Sequence, residues 1–191
     1  VSDRGEYVSR LGYAVSEDGV HFEMKSDRPV YEPQFDWEIG GIEDARITPD
    51  PENPGHFLVT YAAPLAVPGP QYEAYDFWNK LDADPACDRP NLGPSYTGLL
   101  RTGDFVDFEP LGYITPEGLD DRDGILFPER IDGRYVLMHR PTAWSYRHFG
   151  TERAGIWLAF SDDLESWDYG RGSENLLMKP RDGMPGDWES G

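Results

Sequence analysis

Ser161-Asp-Asp163-Leu-Glu-Ser-Trp167 is the third appearance of one pattern in this chain, after Ser16-Glu-Asp18-Gly-Val-His-Phe22 and Thr102-Gly-Asp104-Phe-Val-Asp-Phe108. Each copy closes a strand-like apolar run that begins at Gly12, Gly98 or Gly155. The pattern Ser/Thr-x-Asp-x-x-x-Phe/Trp reads as a hairpin. The hydroxyl and carboxylate cap the turn through bonds to backbone N–H groups, and the aromatic starts the return strand on a buried face. Downstream of each aromatic comes a second signature: Gly41-Ile-Glu-Asp-Ala-Arg-Ile47, Leu126-Phe-Pro-Glu-Arg-Ile131 and the terminal Trp188-Glu-Ser-Gly191. The first two are followed by the related runs Gly55-His-Phe-Leu-Val-Thr-Tyr61 and Gly133-Arg-Tyr-Val-Leu-Met-His139.

Each unit therefore reads as signature strand, apolar strand, Gly-led strand, turn and return strand. Recurrence at this scale points to a repeat architecture, and four strands in fixed order are the pattern of a β-propeller blade. The predicted fold is all-β. Prolines at 29, 33, 49, 51, 54, 64, 68 and 70 exclude long helices from the first part of the chain. Residues 41–112 form one expected blade, with a long insertion at 64–94, and 126–170 form another. Residues 6–24 are expected to be the outer half of an earlier blade, and 188–191 the start of a later one. Two complete blades cannot close a ring, so a larger molecule is expected. An ordinary β-sandwich is the competing reading.

Composition narrows the function classes. The 191 residues carry 17 basic and 36 acidic side chains, a net charge of −19. That balance argues against nucleic acid, whose phosphates require a basic footprint, and against an anionic membrane surface. Aromatic residues make up 14% of the chain, too many for a disordered acidic tail. A single cysteine, Cys87, excludes an internal disulfide framework and a cysteine metal cluster. No apolar run reaches the ~20 residues of a membrane span.

The signature strands carry the candidate chemistry: Glu43, Asp44 and Arg46 in one unit, and Arg122, Asp123, Glu129 and Arg130 in the next, with His139 and Arg140 ending the following strand. Charges in apolar strands are costly unless paired or working. Arginines near one axis of an acidic protein fit an anion ligand. Glu43–Arg46 and Glu129–Arg130 pairs stitching blades together fit the spacing at least as well.

The segment Gly41-Ile-Glu-Asp-Ala-Arg-Ile-Thr48 resembles glycoside hydrolase family 130, the β-mannoside phosphorylases and related β-mannosidases. Arg122-Asp-Gly-Ile-Leu-Phe-Pro-Glu129, Tyr135-Val-Leu-Met-His-Arg-Pro141 and the run Ile156 to Trp167 agree with it. The resemblance implies a five-bladed β-propeller, of which this chain would cover roughly three blades. It also implies inverting phosphorolysis of a β-mannoside, giving mannose 1-phosphate. Asp44 matches the catalytic acid, and Arg122 and Arg140 match two phosphate ligands. Glu43, Arg46, Asp123 and His139 are the expected substrate contacts beside them. By the same resemblance, further phosphate ligands of the family would be expected past Gly191.

Arg10, in Ser9-Arg-Leu-Gly-Tyr-Ala14, matches a recurrent Ser-Arg and is a candidate sugar contact, with a surface ion pair as the equal alternative. The expected partners are a β-mannoside and inorganic phosphate as co-substrate, with no cofactor and no metal. The aromatic insertion and its edge, with Tyr72, Tyr75, Phe77, Trp78 and Tyr96, fit sugar stacking, self-packing or a homo-oligomer contact. Trp144, Tyr146 and His148 fit the same readings. Conservation of bond energy as a sugar phosphate suits the cytoplasm. Hydrolysis by water and a silent sugar-binding propeller are the competing functions; a hydrolase would need a carboxylate base and no arginine pair.

Overall fold

The computed structural model describes residues 8–64, 95–141, 145–151, 154–170 and 174–179. Nearly all of the 64–94 insertion, the 188–191 segment and Trp144 lie outside the described residues.

Turn-rich sequence with alternating apolar residues produces strands here. A short hairpin comes first, β1 (Ala14–Val15) and β2 (Glu23–Met24), preceding a 3-10 turn at Asp36–Glu38; a second 3-10 segment spans Ser145–Phe149. A four-stranded antiparallel meander follows: β3 (Glu43–Pro49), β4 (Phe57–Pro64), β5 (Ser95–Thr102) and β6 (Phe108–Tyr113), paired in chain order. The second meander has β7 (Asp121–Leu126), β8 (Tyr135–Pro141), β9 (Ile156–Ser161) and β10 (Leu176–Met178), again in chain order. No helix among the described residues is long and apolar enough to cross a membrane.

All three Ser/Thr-x-Asp turns share one set of bonds. In the first, Ser16 Oγ accepts from the N–H of Asp18 and Gly19, and Asp18 Oδ1 accepts from Val20 and His21. Thr102 and Asp104 repeat this with Asp104, Phe105, Val106 and Asp107. Ser161 and Asp163 repeat it with Asp163, Leu164, Glu165 and Ser166. The fourth turn residue is left-handed in every copy: Gly19 at φ 73°, Phe105 at 60° and Leu164 at 68°. Only glycine takes this conformation freely. Phe105 is held there by ring contacts with Tyr13 and Phe57, and Leu164 by burial in the core.

The second sheet departs from the sequence-based boundaries. Its first strand begins at Asp121, earlier than 126. After Trp167 the expected return strand shrinks to one bridge, Asp168 with Phe160. The fourth place is taken by Leu176–Met178 instead, whose backbone passes beside Gly155: a Cβ on Gly155 would stand 2.8 Å from the Met178 carbonyl oxygen.

Strand β4 is buried on both faces. Leu58 joins Leu99, Leu126, Tyr135, Leu137 and Ala159 in a core between the two sheets. Val59, Tyr61 and Ala63, on the other face by strand alternation, pack with Tyr31, Ile42 and Leu100. Hydroxyls stitch the sheets where β7 crosses. Thr48 Oγ1 donates to the Leu126 carbonyl at 3.1 Å, and Thr60 Oγ1 to the Gly124 carbonyl at 2.6 Å. Gly124 is required there, because a Cβ would come 2.6 Å from Thr97 Cγ2.

Candidate active site

The first strands of both meanders are bulged at the same place. Pairing of β3 with β4 shifts between Glu43 and Arg46, and pairing of β7 with β8 shifts between Arg122 and Ile125. The residue after each shift begins is an aspartate in left-handed backbone, Asp44 at φ 54° and Asp123 at φ 56°. A bulge re-aims a side chain out of the regular alternation, and Asp is among the residues that tolerate this conformation. Asp44 and Glu43 are exposed. Partial loss of hydration raises the Glu43 carboxyl above the ordinary glutamate range; the Asp44 charge adds to this and Arg122 opposes it.

Asp123 is engaged on both oxygens. Arg46 Nη2 donates to Oδ1 at 2.8 Å. Arg140 donates from Nε to Oδ2 at 2.7 Å and also from Nη2. Burial alone would raise the Asp123 carboxyl, but the bonds from Arg140 and Arg46 outweigh it and hold it below the usual carboxylate range. Arg46 reaches back as well, with Nη1 3.4 Å from the Asp44 carbonyl oxygen.

Arg122 and Arg140 are directly opposite one another on β7 and β8. Like charges at opposed positions destabilise a sheet, so each needs compensation. Arg140 finds it in Asp123. Arg122 donates from Nε and Nη2 to Asp120 Oδ1, at 3.3 and 3.2 Å. Asp120 is buried and anchored by Ser95 N–H at 2.8 Å, and its own N–H donates to Ser145 Oγ. Both arginine side chains remain part-exposed, 33% at Arg122 and 24% at Arg140.

The structure thus brings Glu43, Asp44, Arg46, Arg122, Asp123 and Arg140 onto the paired bulges. Two expected substrate contacts lie elsewhere. His139 is fully buried, its Nδ1 2.6 Å from Asp121 Oδ2, with Phe149 and Tyr169 edge-on to its ring. Strand alternation is the reason: Arg140 faces the site, so its neighbour faces the core. Burial pushes the Asp121 carboxyl up, with His139 opposing. Arg10 stays exposed, donating to the Val8 carbonyl and lying 3.6 Å from Glu32. Neither expected stitching pair forms. Arg130 bonds instead to Glu52 of the other sheet and to the Asp162 carbonyl, and Arg46 to Asp123.

Two further acids matter. Asp120 sits in the acidic run preceding Arg122, which was a usable signal. Glu38 had none. It is buried, accepts from Gln34 and Phe35 N–H at 2.6 and 3.1 Å, and accepts from the hydroxyls of Tyr31 and Tyr61. Burial and Glu38 push Tyr31 up to about 12. The Glu38 carbonyl also accepts from Gly41 N–H, so this cluster holds the backbone leading into β3. Among the described residues no group of three or more His, Cys, Asp or Glu side chains is arranged to hold a metal ion.

A 1,2-β-oligomannan phosphorylase of Thermoanaerobacter sp. is 32% identical over 188 residues, 97% of this chain and 47% of its own length. A β-1,2-mannobiose phosphorylase of Listeria innocua is 30% identical over 189 residues, 97% of this chain and 41% of its own length. The chain is similar to mannan and mannobiose phosphorylases. It spans about half the length of these curated relatives. The structure of the Listeria innocua β-1,2-mannobiose phosphorylase in complex with β-1,2-mannobiose superposes with a TM-score of 0.62 at 28% identity, over 89% of this chain and 36% of that one. A glycosyl hydrolase from Bacteroides ovatus shares the fold, with a TM-score of 0.61 at 21% identity over 94% of this chain and 45% of that one. No family model matches the chain.

Proposed function

We propose that this chain is part of a glycoside hydrolase family 130 propeller that cleaves β-mannosides with inorganic phosphate, inverting the anomeric centre and releasing mannose 1-phosphate. The two meanders serve as successive blades of a five-bladed ring. The observation that carries the reading is the opposed pair Arg122 and Arg140, each on its own carboxylate, with Asp123 joining Arg140 to Arg46 on the bulged strand that presents Asp44.

The chemistry follows from those charges. Glycosidic cleavage passes through an oxocarbenium-like transition state that needs an acid on the leaving oxygen and a nucleophile on the opposite ring face. Asp44 supplies the proton. Phosphate supplies the nucleophile, so no second catalytic carboxylate is needed. A phosphate dianion near carboxylates requires guanidinium forks, which donate paired charge-assisted bonds to its oxygens. The phosphorylase relatives support this reading over hydrolysis, for which an arginine pair has no use.

The test is product analysis on the whole protein with β-linked mannobiose. Mannose 1-phosphate is expected only when phosphate is present, and Asp44→Asn is expected to lower turnover about 10²–10⁴-fold while mannobiose still binds. Free mannose released equally fast without phosphate would establish the hydrolase instead. Binding without turnover under any condition would establish a sugar-binding propeller.

A further inference from the structure

The charged groups of the paired bulges form a chain of contacts rather than two separate clusters, and Arg46 is its central link. One edge of its guanidinium reaches the carbonyl oxygen of Asp44, in left-handed backbone. The other edge bonds Asp123 Oδ1, whose partner oxygen carries Arg140. Arg46 and Asp123 are 77 positions apart and belong to different sheets. With both Asp123 oxygens occupied by arginines, the triad of Arg46, Asp123 and Arg140 has a net charge of +1, spread over two guanidiniums. At 32% exposure Arg46 presents less than half its side chain to solvent, and both of its terminal nitrogens have protein partners.

We propose that Arg46 is a positioning residue that couples the acid to the anion site: it holds the Asp44 backbone at one edge and, through Asp123, the head of Arg140 at the other. This rests on the roles given to Asp44 and Arg140 above, and replaces the expected sugar contact at Arg46. Because one guanidinium serves both ends, its loss perturbs proton delivery and phosphate binding together. A direct sugar ligand would perturb neither phosphate binding nor the Arg140 head. A small displacement of a reacting group is enough to cost about a hundredfold in rate.

The experiment compares Arg46→Gln, Arg46→Lys and Asp123→Asn in the whole protein, with phosphate and mannobiose varied independently. Arg46→Gln is expected to lower kcat and raise the phosphate KM, each about tenfold or more, with the mannobiose KM unchanged. Asp123→Asn should show the same split, and serves alone if Arg46→Gln does not fold. Arg46→Lys, a point charge without the fork, should recover part of the loss. A rise in mannobiose KM alone would overturn the proposal in favour of sugar contact. A lower Tm with unchanged kinetic constants would overturn it in favour of a merely structural link.

Crystal structures of Arg46→Gln and wild type give a readout independent of activity. Asp44 is expected to leave φ near 54° or the Arg140 head to move off its wild-type position. If both stay in place the proposal fails, even if the protein proves to be a phosphorylase. If wild type proves indifferent to phosphate, the functional reading fails and these structures still decide the coupling.

Discussion

Glu43 and Asp123 respond to acid in opposite directions, and the sign follows from their neighbours. The Glu43 carboxyl is raised by dehydration and by Asp44. A raised carboxyl binds its proton more tightly when folded, so above that pKa its ionisation weakens the fold, and the penalty vanishes as pH falls through it. Glu43→Gln is therefore expected to raise Tm at pH 7, with the gain shrinking on acidification and gone below about pH 4. Thermal melts across that range check it; a gain that persists at low pH would assign the effect to something other than charge. Asp123 is lowered, chiefly by Arg140 and Arg46 against the effect of burial. Its contribution is full above the ordinary aspartate range and is lost as pH falls through the lowered value. An Asp123→Asn protein should thus lose its stability deficit only in strong acid. The same scale shows why Gly98 is glycine: a Cβ there would overlap the Tyr61 ring, whose hydroxyl is tied to Glu38.

At the scale of the element, the Ser/Thr-x-Asp turn was legible because all its bonds lie within a few residues. Thr102 is buried, and its Oγ1 accepts from Asp104 and Phe105 N–H and donates to the Asp107 carbonyl at 2.8 Å. Thr102→Val keeps the shape and removes all three bonds. It is expected to cost about 1–3 kcal/mol in denaturant unfolding; a cost near zero would mean that water replaces them. The return strand after Trp167 was not legible. Aromatic spacing marks where a chain turns, whereas the strand that finally pairs with β9 is chosen by whichever backbone can reach its open edge. The paired bulges at Asp44 and Asp123 were half legible. Two charges in apolar strands announced themselves, but left-handed backbone leaves no mark on residue order.

Across the whole molecule, the two sheets share a core among the described residues, so they are expected to unfold as one body. Leu137 is wholly buried among Leu58 and Leu99 of the other sheet. Leu137→Ala is expected to cost about 2–5 kcal/mol, and to shift the unfolding of both sheets together. Probes placed in each sheet should report one midpoint; two midpoints would show that the meanders unfold independently. Thr48, Thr60 and Arg130 reinforce the same join with bonds between sheets.

Residue order alone determined the strand-and-turn pattern and the acidic and basic groups at its signature strands, because these depend on short-range sterics and alternation. Tertiary structure decided which charges meet. Arg46 chose Asp123 over Glu43, Arg130 chose Glu52 over Glu129, and His139 turned inward to Asp121 while Arg140 turned outward. A strand's alternation states that neighbours face opposite ways, but only the packing of one sheet against another settles which way is in. Ion-pair partners follow from that choice, since a guanidinium bonds the carboxylate that lies within reach after the sheets have docked.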